Sequence, residues 1–301
     1  MEQAHKTHLI LNSFWIKIIA MITMTFDHVG AVMLASGFRE TWFVVLYTIF
    51  RFIGRLALPL YCFMIAEGAI HSKKPGFYFL RLSIMAVVIA IALMVGVYAL
   101  GMDYLRLQGN IFIDLLLGAV AVYCLMNKRW YIKILAILPL AFTIGAFFAK
   151  GYENSGSGLV HIVPFFIRPQ YDWYSYLMIV LFFLAYPLAD LFLQNHSKQT
   201  GLDIEVLRGT DLERNAINII SVGLLIFATL LFFLSTFVIP GDYVYWTPDM
   251  QNFAMVAGAF LLLYNGRRGY NAKWFQYGSY LYYPLHIAII YGIATLIEVL
   301  G

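Results

Sequence analysis

The residues with the clearest chemical potential are ionisable side chains set within long apolar runs: Asp27, His28, Arg51, Arg55, Asp114 and His286, with Glu67 and His71 nearer the ends of such runs. A charge at mid-bilayer costs about 2.5 to 3.5 kcal/mol on insertion scales, so each is a functional candidate by default. Lys17 and His28 stand eleven residues apart, close to three helical turns, and therefore share a helix face about 16 Å apart along the axis. A basic residue at one end and an imidazole deep inside suit a ligand with an anionic head and a reactive tip. Acyl-coenzyme A has that shape, with phosphates at Lys17, pantetheine threading inward and the thioester beside His28. A neutral imidazole there can act as general base on an acceptor amine or hydroxyl, which must lose a proton as it attacks the thioester. An acyl-histidine intermediate is the alternative covalent route.

Asp27 points about 100° away from His28 around the helix, which predicts a partner on the next span, Arg51 or Arg55, in place of an intrahelical dyad. The two arginines lie at i and i+4, and Pro59 cannot donate to the carbonyl of Arg55, so a kink is predicted beside them. They could bind the donor and polarise its carbonyl, or neutralise Asp27 and Asp114 in a structural network. His286 follows Pro284 among Tyr280, Tyr282 and Tyr283. Helix rise places it about 20 Å from Lys273, Asp27 and His28 about 15 to 17 Å from Lys17, and Asp114 about 21 Å from Lys128, in one common layer. The expected catalytic set is His28, Asp27 and His286; the donor-binding set is Lys17, Arg51 and Arg55; Asp114, Glu67 and Tyr283 support substrate or structure. The bland alternatives are a helix-bracing role for either histidine, an interfacial anchor for Lys17, a partner for Arg55 in Asp114, and helix-end packing for Glu67 and His71. His161 and Arg168 mark an outer loop where an acceptor could dock.

These residues must be positioned by membrane helices. Of 301 residues, 62% are hydrophobic and 12% charged, against about a quarter charged in an ordinary soluble domain. That balance excludes a water-soluble globular fold. The apolar runs are continuous and not alternating, which favours an all-α polytopic protein over a barrel. Nine spans are expected, at roughly 14–37, 43–70, 77–100, 110–127, 130–149, 174–194, 216–239, 251–265 and 274–298. With the N-terminus in the cytoplasm, fourteen Lys and Arg fall on inner loops and span ends, four fall outside, and Arg51 and Arg55 are left in the second span, as the positive-inside rule requires. The net charge of +4 is spread over short loops and forms no basic stripe, so no nucleic-acid partner is expected. Cys62 and Cys124 sit in apolar runs without metal-ligand spacing and read as core thiols; no metal is expected. The N-terminal segment lacks a signal-peptide pattern, so the first run is expected to be a retained span. The loops at 151–158 and 196–215 are too short for a second domain, leaving one domain over 1–301.

The segments KIIAMITMTFDHVGAVML (17–34), RFIGRLALPLYCFMIAEGAIHSKK (51–74) and SYLYYPLHIAIIY (279–291) resemble matching segments of TraX-type membrane proteins, whose namesake is the conjugative F-pilin N-acetylase. The resemblance covers the first quarter of the chain and its final helix. A wider similarity is to transmembrane acyltransferases, including acyltransferase-three O-acetylases, where a basic residue, ten intervening residues and a histidine recur in the first helix; Lys17 and His28 fit that pattern. The resemblance implies acetyl-coenzyme A as the donor, supplied from the cytoplasm, and transfer to a protein or glycan acceptor at the outer face of a bacterial inner or plasma membrane. Which acceptor it is does not follow. Two other readings stay open: a proton-coupled transporter built on Asp27, His28, Arg55, Asp114 and His286, and a structural subunit of an envelope assembly.

Overall fold

The structure, a computed structural model, describes residues 9–102, 105–106, 108–154, 163–239 and 248–300. In chain order the helices are α1 (Ser13–Ala35), α2 (Thr41–Gly54), α3 (Ala57–Ile70), α4 (Pro75–Tyr98), α5 (Ile111–Met126), α6 (Trp130–Ile134), α7 (Ile137–Asn154), α8 (Asp172–Thr200), α9 (Ile204–Leu207), α10 (Asp211–Ser235), α11 (Pro248–Gln251), α12 (Gly258–Leu262) and α13 (Lys273–Leu300). Tight 3-10 turns at Phe165–Ile167 and Asn252–Ala257 precede α8 and α12. Among the described residues seven helical stretches are long and apolar enough to cross a membrane, so this is a multi-pass helical membrane protein. Of the nine expected spans, the two near 110–127 and 251–265 are shorter, Ile111–Met126 and Asn252–Leu262. The 16 residues of α5 reach about 24 Å, less than the roughly 30 Å of a hydrocarbon core. Large aromatic and aliphatic side chains such as Trp42, Tyr98, Trp130 and Trp274 lie exposed on the outside, as a lipid-facing surface with interfacial anchors demands.

Packing divides the chain into two compact units, one comprising residues up to Tyr61, Leu184–Thr229 and Asp249 onward, the other Cys62–Phe183 and Leu230–Pro248. In the first unit, Asn12 caps α1 by accepting from Phe14 N and Trp15 N. α1 and α2 approach through glycine: a Cβ at Gly30 would lie 3.0 Å from Phe50 Cβ, and one at Gly54 would collide with the Asp27 side chain. The start of α1 is strapped to the 263–268 turn by Leu11 N to Leu263 O (2.9 Å), Asn265 N to Leu11 O (2.7 Å), Ser13 N to Arg267 O (2.8 Å) and Phe14 N to Arg268 O (3.2 Å). These bonds bring Arg267 and Arg268 beside the first turn of α1, one turn from Lys17.

In the second unit Asn110 caps α5 and ties it to its neighbours. Its side chain accepts from Phe112 N and donates to Ala86 O (2.8 Å) and Phe166 O (3.2 Å). Gly109 lies so close to Pro169 and Gln170 that a side chain there would strike their backbone. The 165–171 turn is thereby pinned to the start of α5.

Candidate functional site

The predicted break beside the arginines is present: α2 ends at Gly54 and α3 begins at Ala57. Pro59 has no N–H for the carbonyl of Arg55, and the turn tightens, with Arg55 N donating to Phe52 O and Leu56 N to Ile53 O. Both guanidiniums turn toward α1. Arg51 Nη1 donates to Asp27 Oδ1 at 2.8 Å, and Arg55 Nη2 donates to the same oxygen. Arg51 also reaches the Asp27 carbonyl at 3.3 Å. Asp27 and Arg55 are buried; removing one partner of such a group typically costs about 3 to 5 kcal/mol, because the other charge is left without compensation. Asp27 therefore braces the arginines, as its position on the helix predicted.

His28 faces a different neighbour, α13. Its Nδ1 lies 2.9 Å from Met24 O and 3.2 Å from His286 Nε2, and the two imidazole centroids are 4.8 Å apart at 77°. His286 Nδ1 lies 2.8 Å from Tyr282 O. A carbonyl can only accept, so each Nδ1 carries the proton and, in the neutral pair, each Nε2 carries a lone pair. His286 Nε2 spends that lone pair on the shared His28 N–H. Among the described residues no hydrogen bond uses His28 Nε2, which is left as the basic atom of the pair. Tyr282 stacks on His286 at 5.0 Å and 10° while its hydroxyl meets Thr25 Oγ1 at 2.5 Å; Tyr283 presents its ring edge-on to both imidazoles. α13 remains helical through Pro284.

Lys17 lies on the same unbroken helix as His28, half-buried toward its start. The other expected site residues have their partners within the second unit. Asp114 was expected opposite Arg55; its carboxylate instead accepts from Gln170 N (2.5 Å), Tyr171 N (3.0 Å) and Ser175 Oγ (2.5 Å), which makes it a clamp on the turn before α8. Glu67 is buried and paired with His71 at i+4 (3.3 Å), as helix-end packing predicts. Arg168 is buried, with Nε donating to Val163 O at 2.6 Å, and His161 lies outside the described residues. Among the described residues no three His, Cys, Asp or Glu side chains are grouped to hold a metal ion.

Sequence reading did not single out two contributors. Thr25 precedes His28 by three residues on the same face and fixes the Tyr282 hydroxyl. Gln251 ends α11, is buried, and accepts from Arg55 Nη1 through Oε1 at 3.4 Å. Nothing local in the sequence marks Gln251, since its partner is 196 positions away.

A family model described as TraX protein matches residues 13–238. A curated relative, the probable fimbrial assembly protein FimC, serogroup H1, of Dichelobacter nodosus, is 39% identical over 77 residues, 26% of this chain and 29% of its own length. The chain therefore matches less than a third of that relative. No solved structure matches.

Proposed function

The chain belongs to the TraX family, and from that premise we propose that it is an integral-membrane acetyltransferase that moves an acetyl group from cytoplasmic acetyl-coenzyme A to an amine or hydroxyl of an extracytoplasmic acceptor. The family's namesake acetylates a pilin and the curated relative is named for fimbrial assembly, so a pilin-like subunit is the first acceptor to try. The observation that carries the reading is the His28–His286 pair, whose protons are fixed on Nδ1 by two carbonyls and whose free lone pair is His28 Nε2.

In this reading the acceptor nitrogen or oxygen attacks the thioester carbonyl carbon. His28 Nε2 takes the proton released by the acceptor, the carbon–sulfur bond breaks, and the thiolate leaves as coenzyme A after gaining a proton. The Nδ1–H of His28, shared between Met24 O and His286 Nε2, holds the ring in the required tautomer and favours the imidazolium that forms. Lys17, with Arg267 and Arg268 strapped beside the start of its helix, supplies positive charge for the phosphates of the donor. Arg51 and Arg55, which share the single carboxylate of Asp27, add positive potential near the thioester.

A thermal-shift titration of detergent-purified protein tests this without knowledge of the acceptor. Acetyl-coenzyme A and coenzyme A are expected to stabilise the protein and ATP is not. Folded protein that responds to neither coenzyme A species would overturn the proposal and favour the transporter reading.

A further inference from the structure

Gln251 is almost fully buried, at 2% exposure, yet among the described residues its Nε2 has no hydrogen-bond partner. The amide cannot be turned to cure this. A guanidinium only donates, so the oxygen must face Arg55 and the NH2 group must face away. A buried donor left without an acceptor is expensive, and such groups in native proteins call for an explanation. The next residue repeats the pattern with opposite polarity: Asn252 Oδ1 is buried without a donor. Both sit where α11 gives way to the tight 252–257 turn. Broken helix in a membrane protein is tolerated where it is buried in protein or lines a cavity.

The position of Gln251 ties this donor to the chemistry. It touches Arg55, Arg55 touches Asp27, and Asp27 precedes His28 on α1, about 1.5 Å away along the axis and about 100° around it, so the amide and the imidazole approach a ligand from different sides. We infer that Gln251 is a binding residue for the acyl group, its Nε2 donating to the thioester carbonyl oxygen of the donor. The inference rests on the acetyltransferase reading. A carbonyl oxygen is an acceptor only, which matches the one kind of group Nε2 can use, and negative charge builds on that oxygen as the acceptor attacks. A fixed amide donor beside a guanidinium would then strengthen its bond in the transition state. Arg55 acts here as a positioning residue, because its Nη1 orients the amide.

The test compares two coenzyme A analogues that differ only at this carbonyl: a ketone analogue, with CH2 in place of the thioester sulfur, and its ethyl counterpart, with CH2 in place of the sulfur and of the carbonyl. Wild-type protein should bind the ketone about fivefold more tightly than the ethyl compound. Gln251→Met keeps the length and removes the donor; it should bring the two affinities within about twofold and leave coenzyme A binding unchanged. Wild-type protein that binds neither analogue would overturn the acetyltransferase reading itself. Equal affinities in the wild type, or a preference that survives Gln251→Met, would overturn only the role of Gln251. Should the variant fail to fold, infrared spectroscopy of wild-type protein with a 13C-carbonyl ketone analogue decides: a lowered stretch supports the donor, and an unshifted one overturns it.

Discussion

Two sets of buried polar residues, one in each unit, use the same kinds of side chain to different ends. Around Asp114 and Asn110 the protein supplies the partners: the carboxylate takes two backbone N–H groups and a serine hydroxyl, and the asparagine amide caps one helix while bonding two carbonyls. Around Asp27 and His28 one carboxylate is shared by two guanidiniums, and among the described residues valences remain, a lone pair on His28 Nε2 and a donor on Gln251 Nε2. The first pattern holds a turn in place. The second leaves atoms for something to bind. Among the described residues the second unit has one atom of the same kind, Asp172 Oδ1, but that carboxylate is already paired with Lys150 at 3.0 Å and its backbone has a φ of 54°. Buried polarity alone therefore does not identify a site; in the proposed reading, the unused valence on the His28 side does.

The sharpest way to break this comparison is to substitute both sides. His28→Ala is expected to lower acetyl transfer by about 10²- to 10⁴-fold, measured with labelled acetyl-coenzyme A, with donor binding largely retained. Transfer at the wild-type rate would remove His28 from the mechanism. Asp27→Ala leaves two guanidiniums facing each other without their carboxylate and should cost about 3 to 5 kcal/mol of stability, read as an earlier unfolding midpoint in SDS titration. A variant as stable as the parent would show that the arginines are solvated and not braced.

On the other side, Asp114→Asn puts an amide among three donors and should cost about 1 to 3 kcal/mol in the same titration. The protein that remains folded is expected to bind coenzyme A as the parent does; selective loss of binding would move Asp114 into the site. The smallest effect is expected at Lys17. Lys17→Ala should weaken coenzyme A about fivefold, in line with a single charge-assisted bond, and weaken dephospho-coenzyme A less. An equal loss for both ligands would deny Lys17 a contact with the 3′-phosphate.

Much of the site was legible because its signals are local. The eleven-residue step from Lys17 to His28, the i, i+4 pair Arg51 and Arg55, the missing N–H of Pro59 and the 100° turn between Asp27 and His28 all follow from helix geometry. They correctly anticipated the broken second span and the Asp27–arginine pairing. Asp114 supports structure, but its expected partner Arg55 was not the one it takes, because depth along a helix says nothing about direction around the bundle. Its donors come from the turn before α8 and from the start of α8, 56 to 61 positions later. Glycine 54 shows the same limit: its need for no side chain appears only once Asp27 is packed against it.

From the sequence alone came the membrane character, the approximate spans and the costly polar residues, since hydropathy and helical period depend on near neighbours. Tertiary structure decided which polar groups meet: His28 with His286 across 258 positions, Arg55 with Gln251 across 196. Those pairings fix the tautomers and the unused valences, because a hydrogen bond is set by the position and direction of both partners, and for partners so far apart only the folded chain supplies them.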